Sequence, residues 1–384
     1  MTNPLFEPLK LSAGLNLKNR IVMAPMTTWS ANDDATVSDE EDSYYRARVG
    51  GVGLVITGCS HVTPNGIGFT DEFASYDDHF LPSLARLADA AKSGGAPAIL
   101  QIFHAGNKAL PTLVPDGDVV SASAGLIEAG AFVPGGTQVR ALSSLEIADI
   151  ITAFGDATRR AILAGFDGIE LHGAHGFLIQ NFLSPRSNQR TDEWGGSLEN
   201  RMRFPLAVVA EVRRVISAEA GRPFALGYRI SPEEPGDGGL RVDESLILVD
   251  RLIDAGADYV HASLASLLED RPLEDADGVT MVEHLLARID GRIPLVAAGQ
   301  VRTPAQAVQA RTMGLPLVAV GQALVMNPDW VDAAEAEADS SVTTTLDLSR
   351  AAELAIPAKL HAVIANMPGW FALSDERPLA PAAS

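Results

Sequence analysis

The sequence predicts an α/β protein folded as a single (β/α)8 TIM barrel, with a long insertion after strand three and a helical C-terminal tail. Short apolar, β-branched runs recur along the chain, and a segment with helical periodicity follows each of them. There are eight such alternations, and several runs are apolar throughout, as strands are when helices cover a parallel sheet. The alternative is an open doubly wound sheet. It usually has fewer units and a glycine-rich fingerprint after its first strand, which this chain lacks.

The strands and helices alternate in chain order. The eight predicted strands are Arg20–Met26, Gly53–Gly58, Ala98–Phe103, Gly168–His172, Phe224–Ile230, Tyr259–Ser263, Pro294–Ala298 and Leu317–Gly321. The helices that follow them are a stretch opening at Ser38, then Pro82–Lys92, Ser144–Leu163, Leu198–Ile216, Val242–Ala255, Val279–Ile289, Pro304–Met313 and Pro328–Ala338. Ser38 and Glu41 have the spacing of a capping box, which supports a helix start there.

Two stretches lie outside this alternation. Residues 105–143 are too long for a plain connector, so we interpret them as an insertion or lid after strand three. The tail contains an amphipathic segment, Ala352–Ile364, which predicts a helix packed on the barrel. The expected organisation is a barrel over residues 1–339 and a C-terminal extension over 340–384.

Composition restricts the partners. The 384 residues include 49 acidic and 29 basic side chains, a formal charge of −20, which argues against nucleic acid and anionic membranes. The lone cysteine, Cys59, excludes a disulfide framework and an iron–sulfur cluster. There is no signal-peptide pattern and no apolar run of membrane-spanning length, so a cytoplasmic protein with a small-molecule substrate is expected. The sequence leaves a homo-oligomer open.

In a (β/α)8 barrel the active site lies at the C-terminal ends of the strands, and phosphate commonly binds beyond strands seven and eight. Residues at those positions therefore form the candidate site: Ala24, Pro25, Met26, Thr27, Trp29, Gly58, Cys59, Gln101, His104, His172, His175, Arg229, Gly299, Gly321 and Gln322.

His172 and His175 are the most informative pair, because both follow the end of the apolar strand GIELH. Two N–H donors there could converge on a substrate oxygen, as in an oxyanion hole. A metal site is the alternative, but it needs a third protein ligand, and only Glu170 lies nearby in the sequence. A satisfied pair of core histidines is the third interpretation.

The other strand-end residues suit a flavin mononucleotide. Arg229 ends strand five among apolar residues, and a buried cation needs an electron-rich partner such as the flavin pyrimidine ring. Gln101 offers a donor and an acceptor to the uracil-like edge of that ring. Backbone amides of Gly299–Val301 and of Gly321–Gln322 could hold the phosphate. The glycines could instead simply end strands.

Three runs resemble the old yellow enzyme family of FMN-dependent ene-reductases. They are APMTTWSANDDATVSDEE (24–41), LQIFHAG (100–106) and HGAHGFLIQNFLSPRSNQRTDEWGGSLENRMRF (172–204), and the similarity covers about residues 3–335. The ending HAVIANMPGWF (361–371) is similar to that of a bacterial branch of NADH-dependent flavin oxidoreductases.

The resemblance implies noncovalent FMN, NADH or NADPH as the reductant, and hydride delivery to an alkene conjugated to a carbonyl or nitro group. His172 and His175 would hold the activating oxygen, with Trp29 also on the substrate side. The flavin contacts implied by the resemblance are Ala24, Pro25, Met26, Thr27, Cys59, Gln101 and Arg229. The phosphate candidates from the strand ends, Gly299, Gly321 and Gln322, complete the predicted cofactor site.

Four positions depart from the family pattern. Phe177 replaces the tyrosine proton donor, Gln322 replaces a phosphate-binding arginine, and Asn107 replaces the arginine of an HAGR motif. Thr27, the fourth, is a permitted variant of the redox-tuning position. Because phenylalanine has no proton to give, we expect simple enones to be poor substrates, unless water or another side chain such as Tyr76 donates instead.

Three classes of function follow. The first is a flavin-dependent reductase of activated alkenes, quinones or nitro compounds. The second is a colourless metal-dependent barrel aldolase or isomerase. The third is an FMN-binding protein that has lost efficient turnover. A visible spectrum separates the second class from the other two.

Overall fold

A computed structural model describes residues 3–127 and 135–374 of the chain. Eight parallel strands form a closed barrel in which each strand pairs with its neighbours in the sequence and the eighth pairs with the first. The predicted (β/α)8 barrel is therefore confirmed. The barrel strands are β1 Ile21–Met23, β2 Leu54–His61, β3 Ala98–Phe103, β4 Gly168–Gly173, β5 Ala225–Ile230, β6 Tyr259–Ser263, β7 Leu295–Ala298 and β8 Leu317–Val320.

The described helices surround the barrel, and most of them pack against its outer face. They are α1 Asp39–Arg48, α2 Leu81–Lys92, α3 Ser144–Leu163, α4 Leu178–Leu183, α5 Leu198–Glu219, α6 Val242–Asp254, α7 Met281–Ile289, α8 Pro304–Thr312, α9 Gln322–Met326, α10 Trp330–Glu335 and α11 Ala358–Ala365. The capping box predicted from Ser38 and Glu41 is present at the start of α1, with both reciprocal hydrogen bonds.

Two hydrophobic layers stabilise this arrangement. The larger lies between the strands and the helices, and the smaller fills the barrel interior. A short hairpin of strands Leu9–Lys10 and Asn16–Leu17 adds Leu11, Leu15 and Leu17 to the interior layer. Because these side chains pack with interior residues of the strands, the hairpin closes the N-terminal end of the barrel and only the C-terminal end is open.

One irregularity positions a candidate residue. The pairing of β2 with β3 shifts between Ile56 and Cys59, since Ile56 pairs with Ile99 and Cys59 with Gln101. Three steps along β2 therefore match two steps along β3, which is a β-bulge. The bulge brings Cys59 opposite Gln101.

Two predicted helices are wrong in their extent. The expected helix Pro328–Ala338 is shorter than predicted. Its counterpart α10 begins only at Trp330, after Asn327 and Pro328 separate it from α9, and it ends at Glu335, before Glu337 with its positive φ of 53°. A residue before proline is disfavoured in helical geometry. The expected helix Ala352–Ile364 forms only from Ala358, because Pro357 starts a new helix and Ala355 has a positive φ of 48°.

The two stretches outside the alternation have their own structure. The insertion contains a three-stranded sheet of Val120–Ser121, Gln138–Ala141 and Gly125–Leu126. Its residues 128–134 lie outside the described residues, as does the end of the tail, 375–384. In the described part of the tail, Leu346, Leu360, Ile364 and Phe371 are buried in the same layer as the barrel helices. None of the described helices is long and apolar enough to cross a bilayer.

Candidate active site

The open end of the barrel contains a cavity of about 270 Å³, and most of the predicted flavin contacts line it. Residues from β1, β5, β7 and β8 meet there, although they are far apart in the chain. The predicted residues in its lining are Ala24, Pro25, Met26, Arg229, Gly299, Gly321 and Gln322.

His172 and His175 lie together at the end of β4, with ring centroids 4.9 Å apart and the ring planes at 74°. The Nδ1 of His172 accepts a hydrogen bond from the backbone N–H of Ala174, which leaves its Nε2 as the protonated donor. Burial lowers the pKa of His172 well below its usual range, and the neighbouring His175 ring and Arg229 guanidinium disfavour a second positive charge and lower it further. His172 is therefore neutral at pH 7 and has one N–H to offer.

His175 reaches solvent through the open mouth, but its ring is also held neutral. Desolvation within the mouth, followed by the charges of Arg229 and Lys108, lowers its pKa well below the usual range. The residue has a left-handed backbone with a φ of 59°, a conformation that non-glycine residues seldom adopt. Its Nε2 lies 2.7 Å from the hydroxyl of Ser263.

Ser263 connects the histidine pair to Arg229. Its hydroxyl accepts a hydrogen bond from Arg229 at 3.0 Å. The Nε of Arg229 is buried and has no hydrogen-bond partner among the described residues. A buried N–H without a partner is costly, so this atom points to a ligand acceptor at the site.

Glu170 lies behind this cluster and orients Gln101. It accepts a hydrogen bond from the Gln101 amide at 2.7 Å and approaches His261 Nδ1 at 3.0 Å. Burial raises the pKa of Glu170, but the charges of His261 and Arg229 outweigh that effect and hold it below its usual value. The carboxylate is thus ionised and balances Arg229, while the carbonyl of Gln101 remains able to accept from a ligand.

Thr27 and Cys59 form a contact between β1 and β2. The Thr27 hydroxyl lies 3.7 Å from the Cys59 sulfur. Burial raises the pKa of the Cys59 thiol well above its usual range, so the thiol stays protonated. Cys59 is consequently a neutral wall of the site.

Aromatic side chains line the mouth beside the histidines. Phe177 packs edge-on against His172, with ring centroids 4.8 Å apart. Trp29 packs edge-on against Trp370 of the tail at 5.3 Å, and it also lines a second cavity of about 360 Å³ roofed by residues of α11. Tyr76 instead packs against Phe80 and His61.

Some strand-end residues have structural roles. His104 is buried, its Nδ1 accepts from the N–H of Gly106, and burial lowers its pKa to about 3. Gly58 ends no strand, because β2 continues to His61. A Cβ at Gly58 would lie 2.6 Å from the carbonyl oxygen of Met26, so β1 and β2 can approach only because this residue is glycine.

Three contributors were missed by reasoning from the sequence. Arg302, in the loop after β7, lines the cavity with Gly299 and Gly321 and brings a cation to the expected phosphate end. Burial lowers the pKa of Arg302. Ser263 and Lys108 also lie at the mouth. Ser263 could have been predicted, because it is the last residue of strand β6.

The cavity fits a flavin mononucleotide better than a metal ion. Within residues 3–127 and 135–374 no group of three His, Cys, Asp or Glu side chains could hold a metal. The unpartnered Nε of Arg229 and the half-buried cation of Arg302 instead match a ring with electron-rich carbonyls and a phosphate. A Cβ at Gly321 would lie 3.2 Å from the Met26 sulfur, so glycine keeps this part of the cavity open.

Known proteins agree with this description. A model of the NADH:flavin oxidoreductase / NADH oxidase family matches residues 4–340. A probable NADH-dependent flavin oxidoreductase, YqiG, of Bacillus subtilis (strain 168) is 41% identical over 373 residues, which are 97% of this chain and 98% of the relative. A solved structure of morphinone reductase in complex with tetrahydroNAD has a TM-score of 0.73 and 27% identity, over 87% of this chain and 91% of that one.

Another relative is much longer. An NADH:fumarate oxidoreductase of Klebsiella pneumoniae (strain 342) is 39% identical over 360 residues, which are 93% of this chain but 38% of that protein. The fold, the site and these matches define an FMN-dependent oxidoreductase that uses NADH or NADPH. The chain belongs to the NADH:flavin oxidoreductase / NADH oxidase family, which is the old yellow enzyme family that its motifs resemble.

Proposed function

We propose that this enzyme uses NADH or NADPH to reduce activated alkenes, quinones or nitro compounds. The observation that carries the proposal is the neutral pair His172 and His175, with rings 4.9 Å apart at the mouth of the barrel. Each neutral imidazole offers one N–H donor and carries no additional proton. Such donors stabilise negative charge that develops on a substrate oxygen. Aromatic side chains beside them suit a flat, conjugated acceptor.

The FMN site would use the residues gathered around Arg229. When bound noncovalently, FMN supplies hydride transfer between the nicotinamide and the acceptor. Arg229 would give its unpartnered Nε to the pyrimidine edge, and Gln101 would accept from that edge. The walls of the FMN site would be formed by Ala24, Pro25 and Met26, together with the uncharged side chains of Thr27 and Cys59.

The other end of the cavity would hold the phosphate. Backbone N–H groups after Gly299 and Gly321 are suited to an anion, and Arg302 brings a full positive charge. The side-chain amide of Gln322 is already engaged with the tail. The phosphate would consequently depend more on Arg302 than on Gln322.

A second candidate function is FMN binding with weak alkene reduction. The observation that favours it is Phe177, which packs against His172 where the family pattern has a tyrosine. Hydride addition to the β-carbon leaves an anion that must take a proton at the α-carbon, and a phenyl ring has none to give. General-acid assistance is worth about 100- to 10,000-fold in rate, so its loss would be severe.

Anaerobic reduction followed by a panel of oxidants tests both candidates. The purified protein should be yellow, and acid or heat should release FMN and no FAD. NADH or NADPH should bleach the flavin, and a quinone, a nitroalkene or cyclohexenone should then restore its colour. Protein that stays colourless after incubation with excess FMN would refute both candidates. Rapid bleaching with no reoxidation by any alkene would favour the second.

A further inference from the structure

Lys108 is a cation beside Phe177, and it belongs neither to the FMN cavity nor to the histidine pair. It ends the short 3-10 turn Gly106–Lys108 that follows β3. Its Nζ lies 5.9 Å from the centre of the Phe177 ring and donates a hydrogen bond to the backbone carbonyl of His175. The ammonium group is therefore held at the mouth, next to Phe177, whose side chain has no acidic proton.

The turn after β4 packs closely against the side chain of Lys108. Gly176 has a φ of 71°, and a Cβ on it would lie 3.0 Å from the Cε of Lys108. The side chain of Asn181 accepts from the N–H of Asn107 and donates to the carbonyl of Gly176. This link joins the turn that carries Lys108 to the turn that carries Phe177.

The other side chains near Phe177 are poor proton donors. Its ring contacts are with Phe69, Phe103, His172 and His175. The two histidines are neutral, and their N–H groups are needed at the substrate oxygen. An ammonium group is far more acidic than an indole or a neutral imidazole.

We propose that Lys108 is a catalytic acid that protonates the α-carbon of the reduced alkene, the task of a tyrosine at position 177. The inference rests on the proposed function. The hydride that originates from NADH or NADPH forms a C–H bond at the β-carbon, and the π electrons move to the α-carbon and the activating oxygen. The ammonium of Lys108 then gives a proton to the α-carbon, becomes a neutral amine and regains a proton from water.

The charges around Lys108 favour this chemistry. Burial lowers its pKa, and the carboxylate of Glu234, in the loop after β5, partly opposes that effect. His172 and His175 are the titratable groups at the end of β4 that sense its charge. The alkene-reduction rate should fall as the pH rises through the pKa of Lys108, because only the protonated form can act.

Single-turnover reoxidation of the reduced enzyme separates proton donation from other roles. Lys108→Met should lower the rate with cyclohexenone by about 100-fold or more, the usual contribution of a general acid. The rate with a quinone, whose oxygens take protons from water, should change by less than about threefold. Lys18→Met is the matched control, because Lys18 donates to the carbonyl of Gly94 at the closed end of the barrel. It should leave both rates unchanged.

Two further variants distinguish an acid from a mere positive charge. Lys108→Arg keeps the cation but holds its protons too tightly to act as an acid, so it should lose cyclohexenone reduction as Lys108→Met does. Phe177→Tyr alone should change the rate of cyclohexenone reduction little. Added to Lys108→Met, it should raise that rate at least about tenfold. A Lys108→Arg variant as fast as the wild type would overturn the proposal.

A titration independent of turnover completes the test. The chain has five lysines, so ¹³C-dimethylation gives few NMR signals, and Lys108→Arg identifies the one from Lys108. The pH midpoint of that signal should lie below the midpoints of the other four lysines. A midpoint equal to theirs would contradict the inference. Unchanged cyclohexenone reduction in Lys108→Met, or an equal loss of quinone reduction, would refute the acid role while the proposed function stands. If the reduced wild-type enzyme reacts with no acceptor, both fail.

Discussion

The side-chain amide of Gln322 donates a hydrogen bond of 2.5 Å to the backbone carbonyl of Trp370. This bond joins the first residue of α9 to the tail that lies over the barrel mouth. The family pattern has an arginine at position 322, which would serve the phosphate. Here the same position holds the tail in place, and Arg302, after β7, brings a cation to the end of the cavity where the phosphate is expected.

Gln322→Arg should tighten FMN binding. A charged hydrogen bond contributes about 1.5–3 kcal/mol, so an added guanidinium near the phosphate should lower the Kd about tenfold or more. Fluorescence titration of the apoprotein with FMN measures the change. Riboflavin, which lacks the phosphate, serves as the control and should bind the variant and the wild type equally. An unchanged FMN Kd would show that the phosphate lies away from residue 322.

Arg302→Met should weaken FMN binding about tenfold or more, because a half-buried cation beside the phosphate is lost. The fold should tolerate the change, since the contact of Arg302 with Trp330 uses its backbone carbonyl. The same titration with riboflavin separates loss of the phosphate contact from general damage. Equal weakening of both ligands would contradict a phosphate role for Arg302.

His172→Ala and His175→Ala should each weaken a para-substituted phenol. A bound phenolate should stack on the flavin and give a long-wavelength charge-transfer band, with its oxygen held by these two imidazoles. Loss of one donor to a charged oxygen costs about 1–3 kcal/mol, which should appear in an absorbance titration. If either variant binds the phenol as tightly as the wild type, that histidine has a structural role instead.

Glu41→Gln should change how stability depends on pH. Glu41 lies in the first turn of α1, is buried and accepts hydrogen bonds from Thr28 and Ser38. Burial raises its pKa to about 7 from an ordinary value of 4.5. The folded state holds this proton more tightly than the unfolded chain. The stability contributed by Glu41 is therefore present below about pH 4.5 and is lost as the pH rises to about 7.

The expected loss is about 3 kcal/mol across that range. Glu41→Gln cannot ionise, so its free energy of unfolding in urea should rise relative to the wild type between pH 5 and pH 8. Glu40→Gln is the control, because Glu40 is the exposed neighbour in α1. Parallel pH profiles for the wild type and Glu41→Gln would mean that the carboxyl is not perturbed.

The periodicity of the sequence was sufficient for the barrel, because hydrophobic alternation is set locally by each strand and helix. β3, α3 and β6 lie at the predicted residues. The errors fall where a single residue overrides the pattern. Pro357 breaks one segment of helical composition, Glu337 with its positive φ lies just beyond the end of another, and β2 continues past its bulge to His61, beyond Gly58.

The site was predictable only where residues end strands. The cavity gathers Arg229, Gly299 and Gly321 as expected, since the C-terminal ends of barrel strands meet at one face. Arg302 and Lys108 lie outside the regular strands and helices of the barrel, and their positions depend on turns at Gln300 and Gly106 that have positive φ. Hydrophobic periodicity does not predict which way such a loop turns. The departures at Asn107 and Gln322 therefore gave no indication that Lys108 and Arg302 lie at the mouth.

The packing of Trp29 on Trp370 gives the enzyme a built-in optical reporter. The chain has four tryptophans, and these two line the neighbouring cavities at the mouth. Trp330 lines neither cavity; it is buried and donates to the backbone carbonyl of Arg302. Flavins absorb where indoles emit, so a bound flavin should quench the emission of these two by energy transfer. Replacing Trp370 with phenylalanine would then separate the signal of the cofactor cavity from that of the neighbouring one. Occupancy of either cavity could be followed in the unlabelled protein, without waiting for turnover.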